Sequence, residues 1–279
     1  MTTSLAQSRI DVLGLTTTLL AAGDQASTEA VVFVHGNPGP ARDWTDLVES
    51  VGEFARAVAW DFPGYGSADK PADFDYTIEG YARFLDAALD RLGIQRVHLV
   101  MHDFGGGWGL RWAVDHPERF ASAVLVNTGV LPGYRWHWAA QIWRTPVLGE
   151  MFMATTTRPA LHLVLKQGNP RGLPKEYVDR MYDDYDTATR KAVLKLYRAT
   201  TADAMGALVD PLRALDRPAL IVWGAKDPYV PVSYADRQRE AFPSAEIHLL
   251  EDSGHWPMVD NPDRVREIVV PFLRRVVGG

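Results

Sequence analysis

One segment of the chain has the residue pattern of a reactive carboxylate. In the sequence VMHDFGG at residues 100–106, a short apolar run leads into Asp103, and glycines follow directly. A strand that turns sharply into a glycine-rich helix start, called a nucleophile elbow, holds its central side chain exposed at the edge of a sheet. A carboxylate at that point can attack a saturated carbon and form an ester on the enzyme itself. The pattern therefore predicts Asp103 as a nucleophile.

Two later motifs supply a second carboxylate and a histidine. Asp227 lies in WGAKDP at residues 223–228, and His255 lies in SGHWP at residues 253–257. Each follows an apolar run of strand length, so both side chains should meet Asp103 at the carboxyl edge of a parallel sheet. A carboxylate that orients a histidine makes that histidine a general base. We therefore expect Asp227 and His255 to complete a catalytic set.

The loop HGNP at residues 35–38 follows another apolar run. Alone, this sequence indicates no more than a Gly-Pro turn. Beside an elbow, however, the backbone N–H of Asn37 can converge with that of Phe104 on a developing negative oxygen. Asn37 and Phe104 are therefore the predicted oxyanion hole.

Six apolar runs of strand length recur along the chain, which suits strands covered on both faces. Between the second and third runs, apolar residues from Ile78 to Leu92 repeat at helical spacing, and Gly93 is expected to end that helix. Alternating strands and helices predict a mostly parallel, doubly wound α/β sheet. The predicted strands are residues 31–35, 56–61, 97–101, 122–127, 218–223 and 246–250.

The alternation of strands and helices stops between Leu131 and Leu208. That stretch has no clear strand pattern and is rich in tryptophan and tyrosine. It predicts a helical cap at residues 132–208, inserted into a core domain formed by residues 1–131 and 209–279. Aromatic side chains in such a cap can roof a pocket, although many form the cap's own core.

Composition excludes several classes of function. A net charge of −6 in 279 residues, with no basic stripe, argues against nucleic acid as a partner. The absence of cysteine excludes disulfides and thiolate metal sites. The glycines after Asp103 miss the dinucleotide-binding spacing at Leu110, and no metal motif is present, so no cofactor is expected. Residues 1–22 lack a signal-peptide pattern, and no run suits a membrane span, so a cytoplasmic protein is expected.

Together these motifs resemble the α/β-hydrolase superfamily over essentially the whole chain. The aspartate at the elbow is similar to that of epoxide hydrolases and haloalkane dehalogenases. The resemblance implies a small apolar organic substrate, attack by Asp103, and hydrolysis of the ester by water that His255 activates. Some dehalogenases take their acid from the position of Asn127, which is no carboxylate here, so Asp227 is the stronger candidate. Oligomeric state stays open between monomer and homodimer.

The leaving group decides between the two branches. Epoxide hydrolases protonate the opening ring with two cap tyrosines, and the Tyr197-Arg198 pair resembles the second of these motifs. Tyr134 and His137 are candidates for the first donor.

Dehalogenases instead hold a halide, in one branch with the asparagine that Asn37 matches. Phe104 departs from their pattern because it lacks an indole N–H, and Trp138 is a candidate substitute. The pair His137-Trp138 also resembles fluoroacetate dehalogenases, and a ligand-binding, non-catalytic hydrolase fold is a further alternative. We favour an epoxide hydrolase, with a haloalkane dehalogenase as the main alternative.

Overall fold

Eight strands form one sheet in the computed structural model, which describes residues 5–278. They lie in the order β1-β2-β4-β3-β5-β6-β7-β8, and all neighbours from β4 to β8 are parallel. Only β1 and β2 join by antiparallel pairing. The strands are β1 (Ala6–Val12), β2 (Leu15–Ala22), β3 (Glu29–Val34), β4 (Arg56–Trp60), β5 (Arg96–His102), β6 (Phe120–Val126), β7 (Ala219–Gly224) and β8 (Glu246–Leu250).

The six predicted strands are confirmed as β3 to β8, with ends that shift by no more than two residues. The hairpin of β1 and β2 was not predicted. Its first strand lies at the edge of the sheet with most of its side chains in solvent, so it has no apolar run to mark it. The mostly parallel, doubly wound sheet is otherwise as expected.

Twelve α-helices accompany the sheet in the described part of the chain, and the predicted helix after β4 is confirmed as α2. Thr77 caps α2 by accepting the N–H of Gly80, and Gly93, with a φ of 67°, follows its end. The helices are α1 (Thr45–Gly52), α2 (Ile78–Arg91), α3 (Phe104–Asp115), α4 (Trp138–Arg144), α5 (Leu148–Thr155), α6 (Arg158–Gly168), α7 (Lys175–Asp184), α8 (Thr187–Ala199), α9 (Val209–Leu215), α10 (Ser233–Arg237), α11 (Pro257–Asp260) and α12 (Pro262–Val276).

The sheet is buried on both faces, which explains the unbroken apolar runs of its strands. Along β3, Val32 and Val34 pack into the hydrophobic layer that includes α2 and α3. Val31 and Phe33 point to the opposite face and pack with α1 and α12. Alternate side chains therefore serve two cores, and both sets must be apolar.

Between β6 and α9, residues Trp138–Ala199 form the five helices α4 to α8. We propose that the cap predicted at residues 132–208 corresponds to this insertion. Its two ends meet, because a Cβ atom built on Gly206 would lie 3.0 Å from the Cα of Pro132. Within residues 5–278, no helix combines the length and apolarity that a bilayer crossing requires.

Candidate active site

Asp103 occupies a strained turn between β5 and α3. Its backbone has φ 50° and ψ −126°, a conformation that a non-glycine residue adopts only when its surroundings impose it. The hydroxyl of Thr128 donates to its carbonyl oxygen. Neighbouring backbone packs so closely that a Cβ atom on Gly36 would lie 2.4 Å from the Cβ of Asp103. The local structure therefore fixes the direction of this side chain.

The Asp103 carboxylate is held between two donors. Its Oδ1 accepts the backbone N–H of Asn37 at 2.7 Å, and its Oδ2 lies 3.5 Å from Nε2 of His255. Burial raises the pKa of this carboxyl, but the hydrogen bond and charge of His255 outweigh burial, so the pKa lies below its ordinary value. Asp103 is therefore ionised at neutral pH and available for attack.

His255 is oriented by Asp227, as predicted from the sequence. Its Nδ1 lies 2.7 Å from Oδ2 of Asp227, whose Oδ1 accepts the backbone N–H groups of Tyr229 and Val230 at 2.7 and 3.0 Å. Burial lowers the pKa of His255, but the two carboxylates of Asp227 and Asp103 raise it to about 10. The imidazole thus carries a proton while Asp103 is charged. The structure brings all three predicted residues together.

Asn127 is a further part of the site that the sequence reasoning did not assign. It follows β6 with a φ of 48°, and its Nδ2 donates to Oδ2 of Asp227 at 2.7 Å. Its Oδ1 accepts the N–H of Gly224 at 2.9 Å. A polar residue directly after a buried strand was the available signal. Asn127 thus supports the carboxylate of Asp227 from the neighbouring strand.

The two predicted oxyanion donors lie on either side of Asp103. The N–H of Asn37 already points at the carboxylate. Phe104 is the first residue of α3, where a backbone N–H has no partner within the helix. This arrangement can stabilise negative charge on the Asp103 carbonyl of an ester under attack.

The side chain of Asn37 connects two phenols above Asp103. The hydroxyl of Tyr185 donates to Oδ1 of Asn37 at 3.2 Å, and Nδ2 of Asn37 lies 3.4 Å from the hydroxyl oxygen of Tyr197. The hydrogen of the Tyr197 hydroxyl is therefore not used by Asn37. Burial raises the pKa of Tyr197 well above its ordinary value, so this proton is retained at neutral pH. Tyr185 was not predicted from the sequence.

The remaining predicted cap residues differ in whether they have a hydrogen available to donate into the cavity. The Tyr134 hydroxyl donates to the backbone carbonyl of Tyr229 at 2.9 Å, so its hydrogen is engaged and the predicted donor role does not fit this arrangement. Nδ1 of His137 accepts the N–H of Ala140 at 3.2 Å, which leaves the ring hydrogen on Nε2. Burial lowers the pKa of His137 to about 4, so it is a neutral donor. Trp138 is 52% exposed at the cavity wall.

A cavity of about 310 Å³ lies above Asp103 and His255. Most of its wall is apolar and comes from the inserted helices, which suits a small organic molecule. Polar side chains at one end include Asp103, His255 and Asn37, and Arg190 is a further polar residue of the wall. Its apolar lining includes Ala139, Trp143, Phe152, Met153, Ala160, Leu161, Val164, Leu165 and Met181.

Known proteins share this architecture. The family model for the alpha/beta hydrolase fold matches residues 29–262, a span that contains every motif described above. The chain belongs to the α/β-hydrolase family. The resemblance predicted from the motifs is thereby confirmed for family and fold, and the family supports a hydrolase.

Individual relatives of this α/β-hydrolase differ in activity. It is 30% identical over 266 residues to a cis-3-alkyl-4-alkyloxetan-2-one decarboxylase of Xanthomonas campestris pv. campestris, covering 88% of this chain and 87% of that protein. It matches the epoxide hydrolase VrEH1 of Vigna radiata with a TM-score of 0.81 at 18% identity, covering 97% and 98% of the two chains. It matches the haloalkane dehalogenase DbjA with a TM-score of 0.85 at 22% identity, covering 98% of each. At such identities the structural matches establish the fold alone.

Proposed function

We propose that this protein is an epoxide hydrolase that converts an epoxide into a vicinal diol. A carboxylate oxygen of Asp103 attacks one ring carbon, and the ring carbon–oxygen bond breaks. The product is a hydroxyalkyl ester on Asp103, provided that the leaving oxygen receives a proton. Water then cleaves this ester and releases the diol.

The observation that carries this proposal is the hydroxyl of Tyr197. An opening epoxide leaves an alkoxide attached to the substrate, so a proton donor must stand opposite the nucleophile. Tyr197 is 3% exposed and lines the same cavity as Asp103. The hydrogen of the Tyr197 hydroxyl is not used in the contact with Asn37, because Asn37 is the donor there. Tyr185 donates to Asn37 and thereby supports the amide from the other side.

His137 is proposed as the second donor to the leaving oxygen. Its Nδ1 is occupied by the start of α4, so Nε2 carries the hydrogen. The ring also faces the cavity and packs edge-on against Tyr197. A neutral imidazole can share the alkoxide with the phenol without adding a charge to the apolar cavity.

The second half of the reaction uses His255. Once Asp103 is an uncharged ester, the carboxylate that holds a proton on His255 has gone. Tyr197, which became a phenolate when it protonated the leaving oxygen, can then take the proton of His255, and the neutral imidazole can act as a base toward water. The water oxygen adds to the ester carbonyl, whose negative oxygen is held by the N–H groups of Asn37 and Phe104. As this intermediate collapses, the departing alkoxide takes the proton that His255 removed from water, which gives the diol. The acid left on Asp103 then gives its proton to His255, which restores the charged pair.

A haloalkane dehalogenase is the second candidate, favoured by the presence of an asparagine, Asn37, whose backbone N–H contacts the Asp103 carboxylate. A halide would need free N–H donors. The Nδ2 of Asn37 instead faces the hydroxyl of Tyr197, and Phe104 contributes no side-chain N–H.

The oxetan-2-one named for the Xanthomonas relative is also a strained oxygen ring, which the same carboxylate could open.

The test is the mass of the trapped ester. His255→Gln removes the base, so it should accumulate an adduct on Asp103 when given epoxides, haloalkanes and oxetan-2-ones in separate incubations. An epoxide adds its whole mass, while a haloalkane adds its mass less that of the hydrogen halide. Asp103→Asn in the same background should give no adduct. Adducts from haloalkanes alone would replace the epoxide assignment, and no adduct from any class would remove the covalent mechanism.

A further inference from the structure

The two terminal nitrogens of Arg190 have no partner in the part of the chain that the structure describes. It lies near the start of α8, and its Nε donates to the backbone carbonyl of Tyr185 at 2.8 Å. Neither Nη atom has a hydrogen-bond or carboxylate partner among residues 5–278, and neither is sealed from solvent or cavity. The guanidinium is thus anchored on one side and open on the other.

Two other arginines, at α7 and just before α1, form ion pairs with carboxylates. Arg42 pairs with Asp184, and Arg180 pairs with the buried carboxylate of Asp43. These pairs join the core to the inserted helices and leave no charge uncompensated there. Unlike these two arginines, Arg190 has no carboxylate partner among residues 5–278, although the chain carries an excess of acidic residues.

The open side of Arg190 belongs to the proposed substrate cavity. Arg190 lines the same cavity as Asp103, and within the described chain it is the only arginine or lysine that does so. Tyr185 links the two ends: its carbonyl holds Arg190, and its hydroxyl holds Asn37 next to Asp103. A ligand reaching from Asp103 past Tyr185 therefore meets a fixed cation against an apolar wall.

We propose that the cavity takes epoxides that bear a carboxylate on an apolar arm, and that Arg190 binds this carboxylate. The inference rests on the proposed epoxide hydrolase function. A guanidinium offers a carboxylate two parallel N–H donors, so the pair would also fix which ring carbon faces Asp103. In an apolar surrounding this contact is stronger than in water.

A structural role explains only part of these contacts. The bond from Nε to the Tyr185 carbonyl stabilises the end of α7, as cationic side chains at helix C-termini do. It leaves the Nη atoms unexplained. A structural role predicts a loss of stability in Arg190→Gln with no change in the ratio between charged and neutral substrates.

The test compares an epoxy carboxylic acid with its primary amide. The wild-type kcat/KM should favour the acid, and Arg190→Gln should lower the acid-to-amide ratio by about tenfold, the contribution of one charge-assisted hydrogen bond. Arg190→Lys should keep part of the preference. Lys191→Gln, which removes the exposed neighbouring charge, should keep all of it. A wild-type enzyme without acid preference, or an Arg190→Gln variant with an unchanged ratio, would overturn the proposal.

Binding separates this inference from the proposed reaction. A saturated carboxylate of the same length, with no epoxide ring, should bind wild-type protein more tightly than its amide in calorimetry, and Arg190→Gln should remove the difference. This result does not depend on epoxide chemistry. Preferential carboxylate binding without any epoxide adduct would refute the reaction alone, whereas epoxide turnover with equal binding of acid and amide would refute the role of Arg190.

Discussion

Replacing Asp103 with asparagine should lower the pKa of His255 by about 3.5. Nε2 of His255 lies 3.5 Å from Oδ2 of Asp103. At an effective dielectric constant of ~20, two unit charges at that distance interact by about 5 kcal/mol. Since roughly 1.4 kcal/mol moves a pKa by one, the value of about 10 in the free protein should fall to about 6.5 in Asp103→Asn.

This change reproduces the electrostatics of the proposed ester. An alkylated Asp103 is uncharged, as asparagine is, so ring opening would itself convert His255 from a proton carrier into a base near neutral pH. The order of the two steps would then follow from charge, without movement of the protein. The retained carboxylate of Asp227 keeps the ring oriented in both states.

Titration of the histidine ring nitrogens by NMR, in protein labelled with ¹⁵N-histidine, measures the pKa directly. Asp210→Asn is a matched control, because it removes a carboxylate of α9 that is exposed to solvent and pairs with Arg213 instead of with His255. A direct interaction between the two side chains is refuted if His255 titrates at the same pH in wild type and Asp103→Asn. It is also refuted if Asp210→Asn moves the pKa of His255 equally.

Three further outcomes are expected. Tyr197→Phe should slow ester formation from an epoxide at least about tenfold in rapid-quench mass spectrometry, and an equal rate would make Tyr197 a packing residue. Gly36→Ala places a Cβ 2.4 Å from that of Asp103 and should lower the free energy of unfolding in urea by about 1–3 kcal/mol. Gly107→Ala is the control, because its Cβ meets nothing nearer than 3.4 Å and the free energy of unfolding should hardly change. Equal losses in the two variants would contradict a clash at Gly36. The free energy of unfolding should decrease as pH rises from about 7 to 10, because native His255 still holds a proton that the unfolded chain has released. A free energy of unfolding from urea titrations that does not change with pH would count against a charged pair of Asp103 and His255.

The core of the fold was predictable because its strands are buried on both sides. Apolar runs with turn residues at their ends are a local signal, and they located β3 to β8. The edge strand β1 gives no such signal, since most of its side chains face water. Residues 132–208 were predictable only as helical, because the packing of aromatic side chains on short helices depends on contacts distant in sequence.

The candidate site likewise contains residues that a local sequence pattern marks and residues that depend on contacts distant in sequence. Asp103, Asp227 and His255 each follow a strand end, and parallel strands bring such residues to one edge. Tyr185 and Asn127 act through contacts with Asn37 and Asp227, which lie 148 and 100 residues away in sequence. No local pattern reports such pairs. The engaged hydroxyl of Tyr134 likewise depends on a backbone carbonyl 95 residues later.

The meeting of Pro132 and Gly206 makes the intervening segment an exchangeable module. Because chain entry and exit touch, a different insertion could be joined there while β6, α9 and β7 keep their order and the parallel pairing of β6 with β7. Asp103 and His255 follow strands of the sheet, whereas Tyr197 and His137 belong to the insertion. In the proposed reaction, exchange of the insertion would therefore change the proton donors to the leaving oxygen and leave the attacking carboxylate in place. Relatives with this fold could differ in substrate through a different insertion, with no change at the turn that carries Asp103.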